Sequence, residues 1–89
     1  MKVDFRKVPV QDITGQFTNE DMATEFGNYL YNGTADISDM DLAKKIYYDG
    51  DVELSDEQTK RITGLINASN SIVAKYKVGL LNILNNENH

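Results

Sequence analysis

The sequence predicts a mostly helical α+β fold: a short N-terminal β-hairpin, two short helices, one short edge strand, then a long kinked helix or two consecutive C-terminal helices. Three features point there. Apolar and polar residues alternate near the N terminus, as in a strand with one buried face. A hydroxyl residue three positions ahead of an acid or amide occurs at three places, each opening an amphipathic run. Across the last third, apolar residues recur in steps of four and three, a helical spacing.

Val3 and Phe5 alternate with charged residues in "MKVDFRKV". Pro9 cannot donate to a ladder, which puts this piece at a sheet edge or ends it. In "QDITGQFT", residues 11–18, Gly15 supplies a turn and Phe17 starts the returning strand of the hairpin. Thr18, Ser38 and Ser55 then read as N-caps: each hydroxyl can accept from a free N–H while Asp21, Asp41 or Gln58 reaches back. The first helix, about 19–32, gathers Met22, Ala23, Phe26, Tyr29 and Leu30 on one face and stops at Asn32-Gly33, a left-handed C-cap. The second, about 38–49, groups Leu42, Ala43, Ile46 and Tyr47 and stops at Asp49-Gly50. Tyr31 and Tyr48 are left on the outer faces, where exposed tyrosines favour protein contacts.

From Ser55 onward, Ile62, Ile66, Ser69, Val73, Tyr76, Leu80 and Ile83 follow steps of 4, 3, 4, 3, 4 and 3, flanked by Leu65, Ile72 and Leu84. This is a heptad seam, serving as core or as oligomer contact. A single helix over 55–85 would run roughly 45 Å, against a diameter near 30 Å for a globule of this size. Either it breaks at "NASNS", residues 67–71, where Asn and Ser compete for backbone hydrogen bonds, or it projects toward a partner.

The segment "YYDGDVELSDEQ", residues 47–58, holds five carboxylates. A calcium loop counted from Asp49 requires Gly at its sixth position and a bidentate Glu at its twelfth; the chain has Leu54 and Lys60 there. With Val52 and Leu54 turned inward, Asp51 and Glu53 face solvent, and nothing nearby desolvates them into an acid–base pair. The expected role is punctuation: a helix stop at Asp49-Gly50, an edge strand "DVEL" whose charges discourage mispairing, and a cap at Ser55.

Composition narrows function further. Eighty-nine residues, 40% hydrophobic, make one small domain with a modest core, residues 86–89 forming a disordered tail. The chain has no cysteine, so it has no disulfide, thiolate ligand or Cys nucleophile. Its one histidine, His89, is the last residue, a poor place for a catalytic or metal-bound group. No G-x-S-x-G, S-x-x-K or glycine-rich phosphate loop occurs. No catalytic, cofactor or metal site and no small-molecule substrate is therefore expected. Residues 1–8 lack an apolar signal-peptide core, and the longest apolar-rich piece, "VGLLNIL", is too short to span a bilayer, so a cytoplasmic protein is expected.

The net charge of −5 is uneven. Residues 9–59 carry twelve acids against Lys44 and Lys45, a local −10, which repels phosphate backbones and anionic lipid. "DMATEFGNYLYNG" followed by "DMDLAKKIYYDG" has the outline of a helix-turn-helix, but Asp39, Asp41 and Asp49 oppose phosphate contact in its second helix. A small DNA-binding or DNA-mimicking regulatory protein is the alternative reading.

"MKVDFRKVPVQDITG", "FGNYLY", "DLAKKIYYDGDVELSDEQ" and the tail beginning "TKRI" are similar to small proteins of phage and prophage gene clusters, of the Bacteroidetes mobile-element type. That resemblance implies a cytoplasmic accessory protein of virion morphogenesis or regulation, with no catalytic residue to carry over. The functional expectation is a non-catalytic protein–protein interaction or assembly protein, binding a protein partner or itself. Its candidate contact residues are Tyr31, Tyr48, Tyr76, Leu80 and Ile83.

Overall fold

A computed structural model describes residues 1–85; the expected tail at 86–89, and His89 with it, lie outside the described residues. Within them the chain is α+β and mostly helical: strands β1 (Lys2–Asp4), β2 (Val8–Gln11) and β3 (Phe17–Glu20), helices α1 (Ala23–Gly33) and α2 (Ile37–Asp49), strand β4 (Asp51–Glu53), and helices α3 (Asp56–Ala68) and α4 (Ala74–Leu84).

The hairpin is present, but it is β2–β3, with Val8 opposite Glu20 and Gln11 opposite Phe17. β1 stands apart from it and pairs antiparallel with β4, Val3 opposite Val52. The edge strand expected at "DVEL" thus has one partner, recruited from the far N terminus. Alternation set the inward faces: Val3, Val52 and Leu54 are buried, as are Val8 and Val10.

Two of the expected caps moved. Thr18 lies in β3, its hydroxyl donating to Glu20 at 3.1 Å, and the helix expected from residue 19 starts at Ala23, whose N–H donates to the Asp21 carboxylate at 3.1 Å. Ser38 lies inside α2; the N-cap is Asp36, which accepts from the Ser38 N–H at 2.9 Å. A short Asp side chain reaches that orphan donor as well as Ser can. Ser55 caps α3 as expected, with Gln58 completing the reciprocal pair. Gly50 ends α2 at φ +81°, whereas Gly33 stays helical and Thr34 follows in extended conformation.

The long C-terminal run is two helices, not one. Ser69 ends α3, and its buried hydroxyl accepts from the N–H groups of Ser71 and Ile72, both at 3.1 Å. Lys77 Nζ donates to the Ser69 carbonyl. The polar residues at the break thus take backbone partners that a continuous helix would have used. Turning the chain there also shifts the seam's register. Ile62, Ile66 and Leu80 are fully buried, but Val73 is 59% exposed and Ile83 only half-buried, while Leu84 is buried instead.

One apolar cluster joins these pieces. Phe5 stacks on Phe26 with ring centroids 4.9 Å apart, and Leu30, Ile46, Leu54, Ile62, Ile66, Leu80 and Leu84 are all fully or nearly fully buried with them. Leu80 therefore belongs to the interior of the chain rather than to a contact surface. Leu80→Asp would bury a charge with no partner, a cost comparable to the roughly 5–15 kcal/mol total stability of a small domain. The variant is expected to be unfolded by circular dichroism at every protein concentration; a folded monomer would contradict the core assignment.

Three carboxylates sit below their ordinary value of 3.8: Asp12 through the Thr14 hydroxyl and the Gln16 N–H, Asp36 through Ser38, and Asp4 through Arg6. A depressed folded-state pKa stabilises the fold above the unfolded value and ceases to do so as pH falls through the folded one. The thermal midpoint is thus expected to be flat down to about pH 4 and to drop as the pH falls below that. A midpoint rising on acidification would contradict these bonds.

Candidate functional site

α1 and α2 cross at Gly27. A Cβ there would lie 2.8 Å from Tyr47 Cβ and 2.9 Å from the Tyr47 backbone, so only glycine lets the helices approach this closely. Ala43 is buried at the same crossing, since the residue at this spacing must be small. The approach leaves a shallow groove lined by Gly27, Asn28, Tyr31, Lys44, Tyr47 and Tyr48 over Ala43.

Three tyrosines meet at this groove. Tyr31 is 41% exposed, Tyr47 38% and Tyr48 80%. The rings of Tyr47 and Tyr48 stand 4.9 Å apart at 73°, the edge-to-face arrangement that aromatic quadrupoles favour. Tyr31 and Tyr48 face outward as expected and lie on one surface. Tyr47 departs from the inward position its spacing predicts. It rides over Gly27, where helix α1 fills the place its ring would take.

The remaining sequence candidates lie elsewhere. Tyr76 is half-buried and lines a cleft between α1 and the α3–α4 link with Met22, Phe26 and Tyr29. The Lys75 ammonium lies 5.2 Å from its ring centroid. Ile83 is half-buried against the core, and Leu80 is fully enclosed. Tyr76, Leu80 and Ile83 thus form no continuous exposed stripe.

Asp51 and Glu53 turn away from Val52 and Leu54 and pair with separate cations: Glu53 with the N-terminal amine at 3.0 Å, Asp51 with Lys2 at 3.8 Å and Arg6 at 3.7 Å. Among the described residues, no group of three or more His, Asp or Glu side chains gathers in a way that could hold a metal ion. No helix among them is long and apolar enough to cross a membrane.

Sequence reasoning missed one buried charge. Asp39 has no exposed side-chain surface, and Arg61 on α3 donates to it with both arms, Nε at 2.9 Å and Nη2 at 2.8 Å. Thr34 adds a contact at 3.4 Å, and Asp36 stands 3.7 Å from the same guanidinium. The signal was present in the spacing: Asp39 precedes Leu42, Ala43 and Ile46 by three, four and seven, the apolar face of α2. Asp39, counted above among acids that oppose phosphate contact, therefore faces the interior. Together with the Tyr29 hydroxyl, which donates to the Leu65 carbonyl at 3.1 Å, this pair ties α3 to the α1–α2 layer that carries the tyrosine groove.

No family model, curated protein or solved structure matches this chain.

Arg61→Met would leave the Asp39 carboxylate buried and unpaired. Since the guanidinium is one-third exposed, the loss is expected toward or below the lower end of the ~3–5 kcal/mol range for breaking a buried pair. Arg61→Lys, unable to bond with both arms, should recover only part of it. Urea unfolding of the three proteins measures this, and equal midpoints would contradict the assignment.

Proposed function

We propose that this chain is a non-catalytic interaction or assembly protein of phage or prophage origin, working in the cytoplasm, and that it engages a protein partner through the groove of Tyr31, Tyr47 and Tyr48. The observation that carries this reading is the convergence of three exposed tyrosines over a glycine–alanine floor. Tyr offers large, rigid, amphipathic area at low entropic cost, and it is enriched where protein surfaces meet. The groove is built on two helices in close backbone contact at Gly27, so the points from which its tyrosines project are set before a partner arrives. The phage setting rests on the similarity of the N-terminal, "FGNYLY" and "DLAKKIYYDGDVELSDEQ" segments.

A photo-crosslinking residue at position 48, in cells of the native host, tests the reading. The expected result is a defined protein adduct that is lost with Tyr31→Ala and absent when the crosslinker sits at exposed Lys60 on α3. Adducts of equal yield from positions 48 and 60, or none from 48, would contradict it.

A further inference from the structure

Every strand edge in the described chain is closed or guarded except one. In the hairpin, the Asp12 N–H donates to the Gln16 carbonyl at 2.9 Å. The two pair types of an antiparallel ladder alternate, so Val10 with Thr18 and Val8 with Glu20 are the hydrogen-bonded pairs. Pro9 with Asn19 and Gln11 with Phe17 are then the open pairs, and their backbone groups point outward. On β2 that outer edge is guarded at Pro9, which has no N–H and whose carbonyl lies against α4 at Gly79, and only Gln11 remains outward beyond it. In β1–β4, bonds from Phe5 to Gly50 and between Met1 and Leu54 make Lys2, Asp4, Asp51 and Glu53 the outward positions. All four are charged, a common guard against strand addition. β3 alone lacks such protection: its outward residues are Phe17 and Asn19, it contains no Lys, Pro or bulge, and Phe17 is 59% exposed. Among the described residues, nothing bonds to the outward backbone groups of Phe17 and Asn19.

We propose that β3 pairs antiparallel with β3 of a second copy of this chain, about a two-fold axis at Thr18. Phe17 and Asn19 flank Thr18, so this register sets Phe17 opposite Asn19 of the second copy, and each outward N–H meets an outward carbonyl. Opposed side chains are compatible: Thr18 meets Thr18, Glu20 meets Gln16, and no like charges face each other. The two Phe17 rings lie diagonally, about 7–8 Å apart at the backbone and within aromatic reach, on the face away from Val8 and Val10, where each now stands exposed. One short strand covers less than the roughly 1,200–2,000 Å² of stable complexes. The dimer is therefore weak, with a Kd of about 0.1–1 mM. This pairing is independent of the tyrosine groove.

Sedimentation equilibrium with amide NMR tests it. Asn19→Pro removes an outward donor, and because Asn19 faces Pro9 in an open pair it breaks no bond to β2. It is expected to weaken dimerisation at least about tenfold with the rest of the amide spectrum retained. Phe17→Lys, which keeps the backbone and adds a guarding charge, should do the same and carries the test alone if the proline variant fails to fold. Tyr48→Ala should leave the dimer unchanged. A wild-type chain still monomeric at about 2 mM would overturn the proposal and hand the edge to an extended segment of another protein. A dimer insensitive to both β3 substitutions, or one abolished only by Tyr48→Ala, would overturn it equally.

Discussion

The contact on which the arrangement turns is that between Gly79 of α4 and the backbone of β2. A Cβ at position 79 would lie 2.7 Å from the Pro9 carbonyl oxygen, too close to sit without displacing backbone, and 3.0 Å from Val8 Cγ1, a tight contact. With hydrogen in its place, the helix lies directly on the strand. Leu80 and Leu84 then reach the same interior as Val8 and Val10. Burying a Leu side chain contributes about 1.5–3 kcal/mol, so residues near the C terminus help hold the N-terminal hairpin in position. The contact also guards the outer edge of β2 at Pro9, a residue that has no N–H to leave unpaired, so the unguarded edge of the hairpin is that of β3.

That approach requires the chain to reverse between α3 and α4, and the reversal requires the break after Ala68. Ser69 serves both ends: its backbone N–H still bonds to Ile66, and its hydroxyl collects the N–H groups of the following turn. α3 in turn is held to the α1–α2 layer by directed polar bonds, the Asp39–Arg61 pair and Tyr29 to Leu65, in addition to apolar contact. Apolar burial is non-directional, whereas a two-armed guanidinium–carboxylate bond has one good geometry. Such a bond fixes α3 to the first turn of α2, whose last turn presents Tyr47 and Tyr48. The face proposed for partner binding and the open β3 edge are consequences of two close backbone approaches, at Gly27 and at Gly79.

Local rules made much of this readable. Strand alternation identified Val3, Val52 and Leu54 as inward, a complete capping pair located the start of α3, and the Asn and Ser run marked the helix break. Where two local rules competed, the longer-range contact decided. Thr18 satisfies a capping pattern and also continues a strand; pairing with Val10 won, because a strand paired along its length satisfies more backbone groups than one cap. The partner of β1 could not be read, since nothing near Lys2–Asp4 points fifty residues ahead to Asp51–Glu53. The heptad seam assumed one axis and failed at Val73, where the axis changes. The tyrosine surface was half visible: Tyr31 and Tyr48 stood out by spacing, but Tyr47 joined them only through the closeness of α1. Asp39 was legible by its place on the apolar spacing of α2, but an acid is almost never fully buried unless paired, and its partner Arg61 lies 22 residues ahead.

The most direct test compares alanine at two helical glycines. A Cβ at Gly64 in α3 would point into open space, whereas one at Gly79 would meet the Pro9 carbonyl. In an exposed helix interior, Gly→Ala stabilises by about 0.5–1 kcal/mol. Gly64→Ala is therefore expected to raise the urea midpoint, while Gly79→Ala lowers stability by about 1–3 kcal/mol through forced separation of α4 from β2. A Gly79→Ala protein as stable as Gly64→Ala would contradict the close seating of α4 on β2 and the account built on it.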